Sequence, residues 1–211
     1  MNKKLTCEAI FAQNKIIPVV VLNDVNKAIP LAHALQDGGI NIMEITLRTP
    51  NALQIIEKIH NSVSNIIVGA GTILTEDQYH TAIKHGAQFL VSPGLNNALI
   101  NVKSDYTVPF IPGAITPTEV LCAYNAGFKY LKFFPAESYN GPSALKSLAS
   151  VFPDIKFCPT GGINLDNIER YLSLPNIAGI GCSFVVTEEL ITTSNYAQIT
   201  KLARQVNALT K

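Results

Sequence analysis

The chain has 211 residues, 47% of them hydrophobic, and a formal net charge of +1 from 16 basic and 15 acidic side chains. That size suits one domain around one core and lies near the lower limit for a closed (β/α)8 barrel. With acids and bases balanced and no long run of either sign, the sequence carries no electrostatic footprint for nucleic acid or an anionic membrane, so any anionic ligand has to be held locally.

The N-terminal stretch Met1 to Ile10 contains Glu8, which interrupts the apolar run a secretory signal would need, and no window reaches the length of a membrane span. The four cysteines, Cys7, Cys122, Cys158 and Cys182, are scattered and match neither a disulfide framework nor a C-x-x-C metal pair. A cytoplasmic protein with reduced thiols is expected. In chain order, a helix over Cys7 to Asn14 precedes a strand over Ile17 to Leu22, and Asp24 opens a helix over Val25 to Gln36. Strands follow over Ile42 to Leu47 and Ile66 to Thr72. Thr75, with Glu76 and Asp77, then opens a helix ending near Gly86. Strands over Phe89 to Pro93 and Pro109 to Ala114 come next, and Thr116, Pro117 and Glu119 open a helix ending near Gly127. The last strands cover Tyr130 to Pro135, Lys156 to Thr160 and Gly179 to Val185, before a closing helix over Tyr196 to Leu209.

Short β-branched runs recurring at intervals of about 20 to 25 residues, with helices between them, are the pattern of parallel strands covered on both faces. An open doubly wound sheet shares that local pattern. Eight strands without a strong G-x-G-x-x-G after the first favour closure, so the expected fold is α/β, a single (β/α)8 TIM barrel with an extra N-terminal helix, spanning residues 1–211 as one domain.

In such barrels the chemistry sits at the C-terminal ends of the strands. Lys132 lies there among Tyr130, Leu131, Phe133, Phe134 and Pro135, and period-2 alternation puts it on one face with Tyr130 and Phe134. Burial disfavours the charged ammonium, and an amine freed of its proton is a nucleophile able to form an imine with a ketone. The alternative is a structural lysine paired with a carboxylate. Glu44 poses the same question among Ile42, Met43, Ile45 and Leu47: it is either a proton shuttle for imine chemistry or the partner of Lys132 in a buried ion pair, and the two roles are compatible.

Arg48, four residues on in Leu47-Arg48-Thr49-Pro50, brings a planar fork to the barrel mouth, suited to a carboxylate or phosphate; a surface arginine covering a loop is the bland reading. Gly69-Ala70-Gly71-Thr72 ends the third strand, where small residues let a ligand approach the backbone and Thr72 offers a hydroxyl; a tight turn is the alternative. Thr160-Gly161-Gly162 after the seventh strand and Gly181-Cys182-Ser183 at the eighth stand where these barrels most often bind phosphate, with exposed amides of Gly161, Gly162 and Ser183 as an anion cradle. His33, His60, His80 and His85 fall in or beside helices without metal-ligand spacing, so no metal is expected.

Together these segments closely resemble the 2-keto-3-deoxy-6-phosphogluconate (KDPG) and 4-hydroxy-2-oxoglutarate (KHG) aldolase family. The resemblance rests on Glu44-Ile45-Thr46-Leu47-Arg48, Gly69 to Thr72, Ser92-Pro93-Gly94, Lys132-Phe133-Phe134-Pro135-Ala136-Glu137 and Pro159-Thr160-Gly161-Gly162-Ile163. It implies a cofactor-independent class I aldolase in which Lys132 carries the imine and Glu44 transfers protons. It further implies that Arg48 and Thr72 hold a pyruvate carboxylate, that Pro93 and Phe134 shape its pocket, and that the Thr160, Gly161, Gly162 and Ser183 region receives phosphate. The implied partners are small keto acids and aldehydes, and the implied assembly is a homotrimer. Gly181-Cys182-Ser183 departs from the Gly-Gly-Ser of a typical member, and the added Cβ restricts φ and is expected to crowd the anion. Two other functions fit parts of the pattern: a phosphate-binding barrel isomerase or epimerase, independent of Lys132, and a noncatalytic phosphometabolite-binding protein.

Overall fold

Thr75 and Thr116 cap the helices they are expected to open, whereas Asp24 caps only a short 3-10 turn. In the computed structural model, which describes residues 5–102 and 108–210, Thr6 accepts from the Ala9 N–H at 3.1 Å and opens helix α1, Cys7–Gln13. Residues 1–4 of the N-terminal reading lie outside the described residues. Asp24 accepts from the Asn26 N–H but caps a 3-10 turn, Val25–Lys27, and α2 begins only at Ala28, running Ala28–Asp37. Thr75 caps α4, Glu76–Lys84, which follows α3, Ala52–Ser62. After α5, Asn97–Asn101, Thr116 and Glu119 form a reciprocal capping box with Pro117 in the first turn of α6, Pro117–Asn125. The remaining helices are α7, Gly141–Val151, α8, Ile168–Leu172, α9, Glu188–Thr192, and α10, Tyr196–Ala208.

The strands lie within or beside the expected stretches: β1, Ile16–Val20; β2, Ile42–Thr46; β3, Ile67–Gly71; β4, Leu90–Val91; β5, Phe110–Ile111; β6, Tyr130–Phe133; β7, Lys156–Pro159; and β8, Ile180–Cys182. Several are shorter than expected, for identifiable reasons. β5 is flanked by Pro109 and Pro112, which have no N–H to donate to a ladder, and Pro93 bounds β4 in the same way. The expected eighth strand to Val185 is corrected: Ser183 turns the backbone to φ −108°, ψ −12°, and Phe184–Val186 forms a 3-10 turn.

All paired strands are parallel. Six run in the order β5-β4-β3-β2-β1-β8, and β6 pairs with β7. Parallel bridges between Gly113 and Lys132 and between Thr160 and Gly181 link that pair to β5 on one side and to β8 on the other. Helices alternate with the strands, giving an α/β fold with apolar residues buried from α1 to α10. β2 is buried at every position, which carries Glu44 into the interior with Ile42, Met43, Ile45 and Thr46.

Candidate active site

Glu44 and Lys132 come from strands 88 residues apart in sequence and meet inside the fold. The Lys132 Nζ lies 3.3 Å from Glu44 Oε1, with the two residues 6% and 3% exposed. Such a pair is costly to desolvate, and its partners satisfy each other because neither has bulk water nearby. The backbone of Lys132 is fixed on the β5 side, where its N–H donates to Pro112 O at 2.8 Å and its carbonyl accepts from the Ala114 N–H at 3.0 Å. Its ammonium also lies 5.3 Å from the centre of the Phe134 ring, and Phe134 is 40% exposed. The Phe134–Pro135 peptide is cis.

Small residues around the pair make room for protein side chains, which corrects the reading of Gly69 to Gly71 as a place for ligand to approach the backbone. A Cβ on Gly69 would overlap the Phe89 ring, and one on Gly71 would overlap the Glu44 carboxylate. Gly71 therefore sets where the carboxylate sits. Gly113 plays the same part for Pro93, since a side chain there would run into the Pro93 carbonyl. Pro93 itself is half-buried beside Ser92, whose hydroxyl donates to Gly94 O.

Arg48 stands exposed in the turn after β2. Thr72, directly after β3, is half-buried and has φ 63°, a left-handed conformation that is unusual for a β-branched residue and costs about 1–3 kcal/mol. Such strain persists where the surroundings over-determine it, here between the β3 ladder and the bond from the Ile73 N–H to Val91 O at 3.1 Å.

Thr160 is buried, and its hydroxyl faces Gly181 and donates to Cys158 O at 3.4 Å, so its side chain packs between strands. Gly161 and Gly162 adopt φ 102° and 78°, with Gly161 against Phe134 and Pro135. The N–H groups of Gly161, Gly162 and Ser183 donate to no protein acceptor among the described residues, and Ser183 is exposed. Three unpaired amides in adjoining loops suit an anion.

Cys182 is buried and has no positive φ, so its Cβ causes no backbone strain and its thiol is turned away from solvent. Cys158 pairs in register with Lys132, and burial pushes its thiol up to about 12, with the Lys132 charge pulling down and the Glu44 charge pushing up. A neutral thiol is thus the neighbour of the Lys132 amine. The histidines sit apart: His33 lies beside Gln36, His80 beside Glu76, and His85 beside the Thr81 carbonyl. Among the described residues no group of three or more His, Cys, Asp and Glu side chains converges.

Two residues beside the glycine turn went unassigned in the sequence. Glu137 appeared only as the end of a motif, and Tyr171 offered no signal because its partner is 34 residues away; the Tyr171 hydroxyl donates to the Glu137 carboxylate. Burial, followed by the Glu137 contact, raises the ionisation of the Tyr171 hydroxyl well above the ordinary phenol range.

Comparison with known proteins agrees with the resemblance. The model of the family described as KDPG and KHG aldolase matches residues 7–202. The chain is 40% identical over 204 residues to the KHG/KDPG aldolase of Escherichia coli K12, covering 97% of this chain and 96% of that one. It is 39% identical over 207 residues to the 2-dehydro-3-deoxy-phosphogluconate aldolase of Pseudoalteromonas atlantica, covering 98% and 96%. Among solved structures, the KDPG aldolase of Legionella pneumophila, with pyruvate captured at low pH as a covalent carbinolamine intermediate, superimposes with a TM-score of 0.94 at 42% identity, covering 97% of this chain and 99% of that one. With a family model that spans all eight strands and relatives that match 97% and 98% of its length, the chain belongs to the KDPG and KHG aldolase family.

Proposed function

We propose that this chain is a class I aldolase that reversibly cleaves 2-dehydro-3-deoxy-6-phosphogluconate to pyruvate and glyceraldehyde 3-phosphate, and 4-hydroxy-2-oxoglutarate to pyruvate and glyoxylate. The observation that carries this reading is the buried Lys132–Glu44 pair at 3.3 Å, in a chain whose relatives bear these aldolase names.

Lys132 transfers its extra proton to Glu44 and attacks the keto carbon of the substrate. The resulting carbinolamine loses water, with Glu44 returning a proton to the departing oxygen, and a protonated imine remains. Glu44 then takes the proton of the C4 hydroxyl. The C3–C4 bond breaks, its electron pair flows into the imine to give an enamine, and the aldehyde leaves. Protonation at C3 and addition of water release pyruvate and the free amine. The captured carbinolamine of the Legionella relative is the species expected on this path. Phe134 and Pro93 wall the keto acid, Arg48 and Thr72 hold its carboxylate, and the Gly161, Gly162 and Ser183 amides receive the distal phosphate. Thr160 supports that last group from beneath. No cofactor takes part.

In the same proposal the strands close into a (β/α)8 barrel with α1 as the extra N-terminal helix, and residues 1–211 form one domain. Support for closure comes from the parallel bridges on both sides of the β6–β7 pair. The assembly is a homotrimer in the cytoplasm. An apolar strip of exposed Leu121, Tyr124 and Val151, with Phe152, between α6 and α7 supports association. Among the described residues no helix is long and apolar enough to cross a membrane.

Borohydride reduction in the presence of pyruvate is expected to leave a three-carbon adduct on Lys132, read by peptide mass spectrometry. An unmodified Lys132 in protein that cleaves substrate overturns the mechanism. Turnover that survives Lys132→Ala without pyruvate release would instead support an isomerase or epimerase.

A further inference from the structure

The loops after β6 and β7 are tied together by contacts that reach beyond the strands. The Ala136 N–H donates to Thr160 O at 2.8 Å, and the Glu137 N–H donates to Gly161 O at 3.1 Å. Glu137 Cβ lies 2.8 Å from where a Cβ on Gly162 would stand, so the side chain is seated directly on the glycine turn. Its carboxylate then accepts from the hydroxyl of Tyr171, which is fully buried in α8. The same hydroxyl lies 2.7 Å from where a Cβ on Gly141, the first residue of α7, would stand. Glu137 therefore joins the loop that follows Lys132, the glycine turn and α8.

The consequence for the turn follows from peptide geometry. In a planar trans peptide the C=O and N–H point in opposite directions. The carbonyls of Thr160 and Gly161 both point at residues 136 and 137, so the N–H groups of Gly161 and Gly162 point away from that loop. The next carbonyl, Gly162 O, is held by the Asn167 side chain at 3.0 Å. Glycine adopts many conformations at little cost, so two successive glycines at positive φ depend on such outside contacts for a single arrangement.

We infer that Glu137 and Tyr171 form a positioning pair that holds the Gly161 and Gly162 amides in place for the distal anionic group of the substrate, and so sets the preference for a phosphorylated over an unphosphorylated keto acid. This deepens the aldolase reading and rests on it. Neither residue reaches the reacting carbons; both act through the turn.

The test compares Tyr171→Phe, which removes one hydroxyl, with Glu137→Ala and with Glu137→Gln, which keeps an acceptor for Tyr171. kcat and KM are measured on 2-dehydro-3-deoxy-6-phosphogluconate and on 4-hydroxy-2-oxoglutarate, alongside borohydride trapping of pyruvate on Lys132. Y171F and E137A are expected to raise KM for the phosphorylated substrate by about five- to tenfold, the worth of one hydrogen bond, with kcat nearly unchanged. The unphosphorylated substrate and the trapping rate should not respond, and E137Q should stay near the parent. Equal losses on both substrates, or an unchanged KM for the phosphorylated one in folded Y171F, overturn the proposal. If the parent protein traps no pyruvate, the aldolase reading fails separately. Calorimetric binding of inorganic phosphate then decides the matter: weaker binding in Y171F upholds the pair, and equal binding overturns it.

Discussion

Lys132 and Glu44 hold each other at 3.3 Å in an interior that would tolerate neither alone. Truncating one partner leaves a buried, uncompensated charge, whereas replacing both removes the problem. Glu44→Leu is therefore expected to lower stability by about 3 kcal/mol, and adding Lys132→Met should recover most of that loss. Urea unfolding of the two single variants and the double variant measures it. Additive losses would show that the pair is not coupled.

Glu44→Gln keeps the shape of the side chain and removes its ability to take a proton. A fall in kcat of about 10²- to 10⁴-fold is expected, in the range of a lost general acid-base group. Steady-state pyruvate release gives kcat, and a kcat within tenfold of the parent would remove Glu44 from the proton path.

Gly71 owes its place to the carboxylate beside it. Gly71→Ala puts a methyl group onto Glu44 Oε1 and is expected to displace the carboxylate, with a stability cost of about 1–3 kcal/mol from overpacking. Activity should fall to a similar extent as in Glu44→Gln. An active, unperturbed Gly71→Ala would show that the carboxylate position is not critical.

Thr72 carries backbone strain at φ 63°. Replacement by glycine relieves it, and after the extra entropy of glycine a net gain of about 1 kcal/mol is expected. The same change removes the hydroxyl proposed to hold the keto acid, so KM should rise while the melting temperature rises. A melting temperature that falls would mean that side-chain packing of Thr72 outweighs its strain.

Alkaline pH acts through the buried thiols. The Cys158 thiol is pushed from 9.0 to about 12, so as pH passes 9.0 the unfolded chain loses this proton and the folded chain keeps it. The resulting stability is complete below pH 9.0 and is lost toward pH 12, at about 1.4 kcal/mol per pH unit for each such thiol. At pH 8, iodoacetamide is expected to label exposed Cys122 in the native protein and to reach Cys158 and Cys182 only after unfolding. Native labelling of Cys158 would contradict its burial.

Much of this architecture is readable in one dimension because its signals are local. Capping residues such as Thr75 and Thr116 act within one helical turn, and the apolar runs around Glu44 and Lys132 mark buried strands by their own composition. A charged residue inside such a run is conspicuous, so both members of the central pair stand out before any fold is known.

Other features depend on which distant residue arrives at a given place. Gly71 looks like a ligand approach in sequence and proves to be space for Glu44; Gly181 in the same way accommodates Thr160. Cys182 looks like an obstruction at the anion loop, yet its side chain is buried. The partnership of Glu137 with Tyr171 spans 34 residues and leaves no periodic trace. Local chemistry thus set the elements and marked the two buried charges, because propensity, capping and burial are written in neighbouring residues. The tertiary structure decided the distances among them and the space around each, because packing brings together side chains with no fixed separation along the chain.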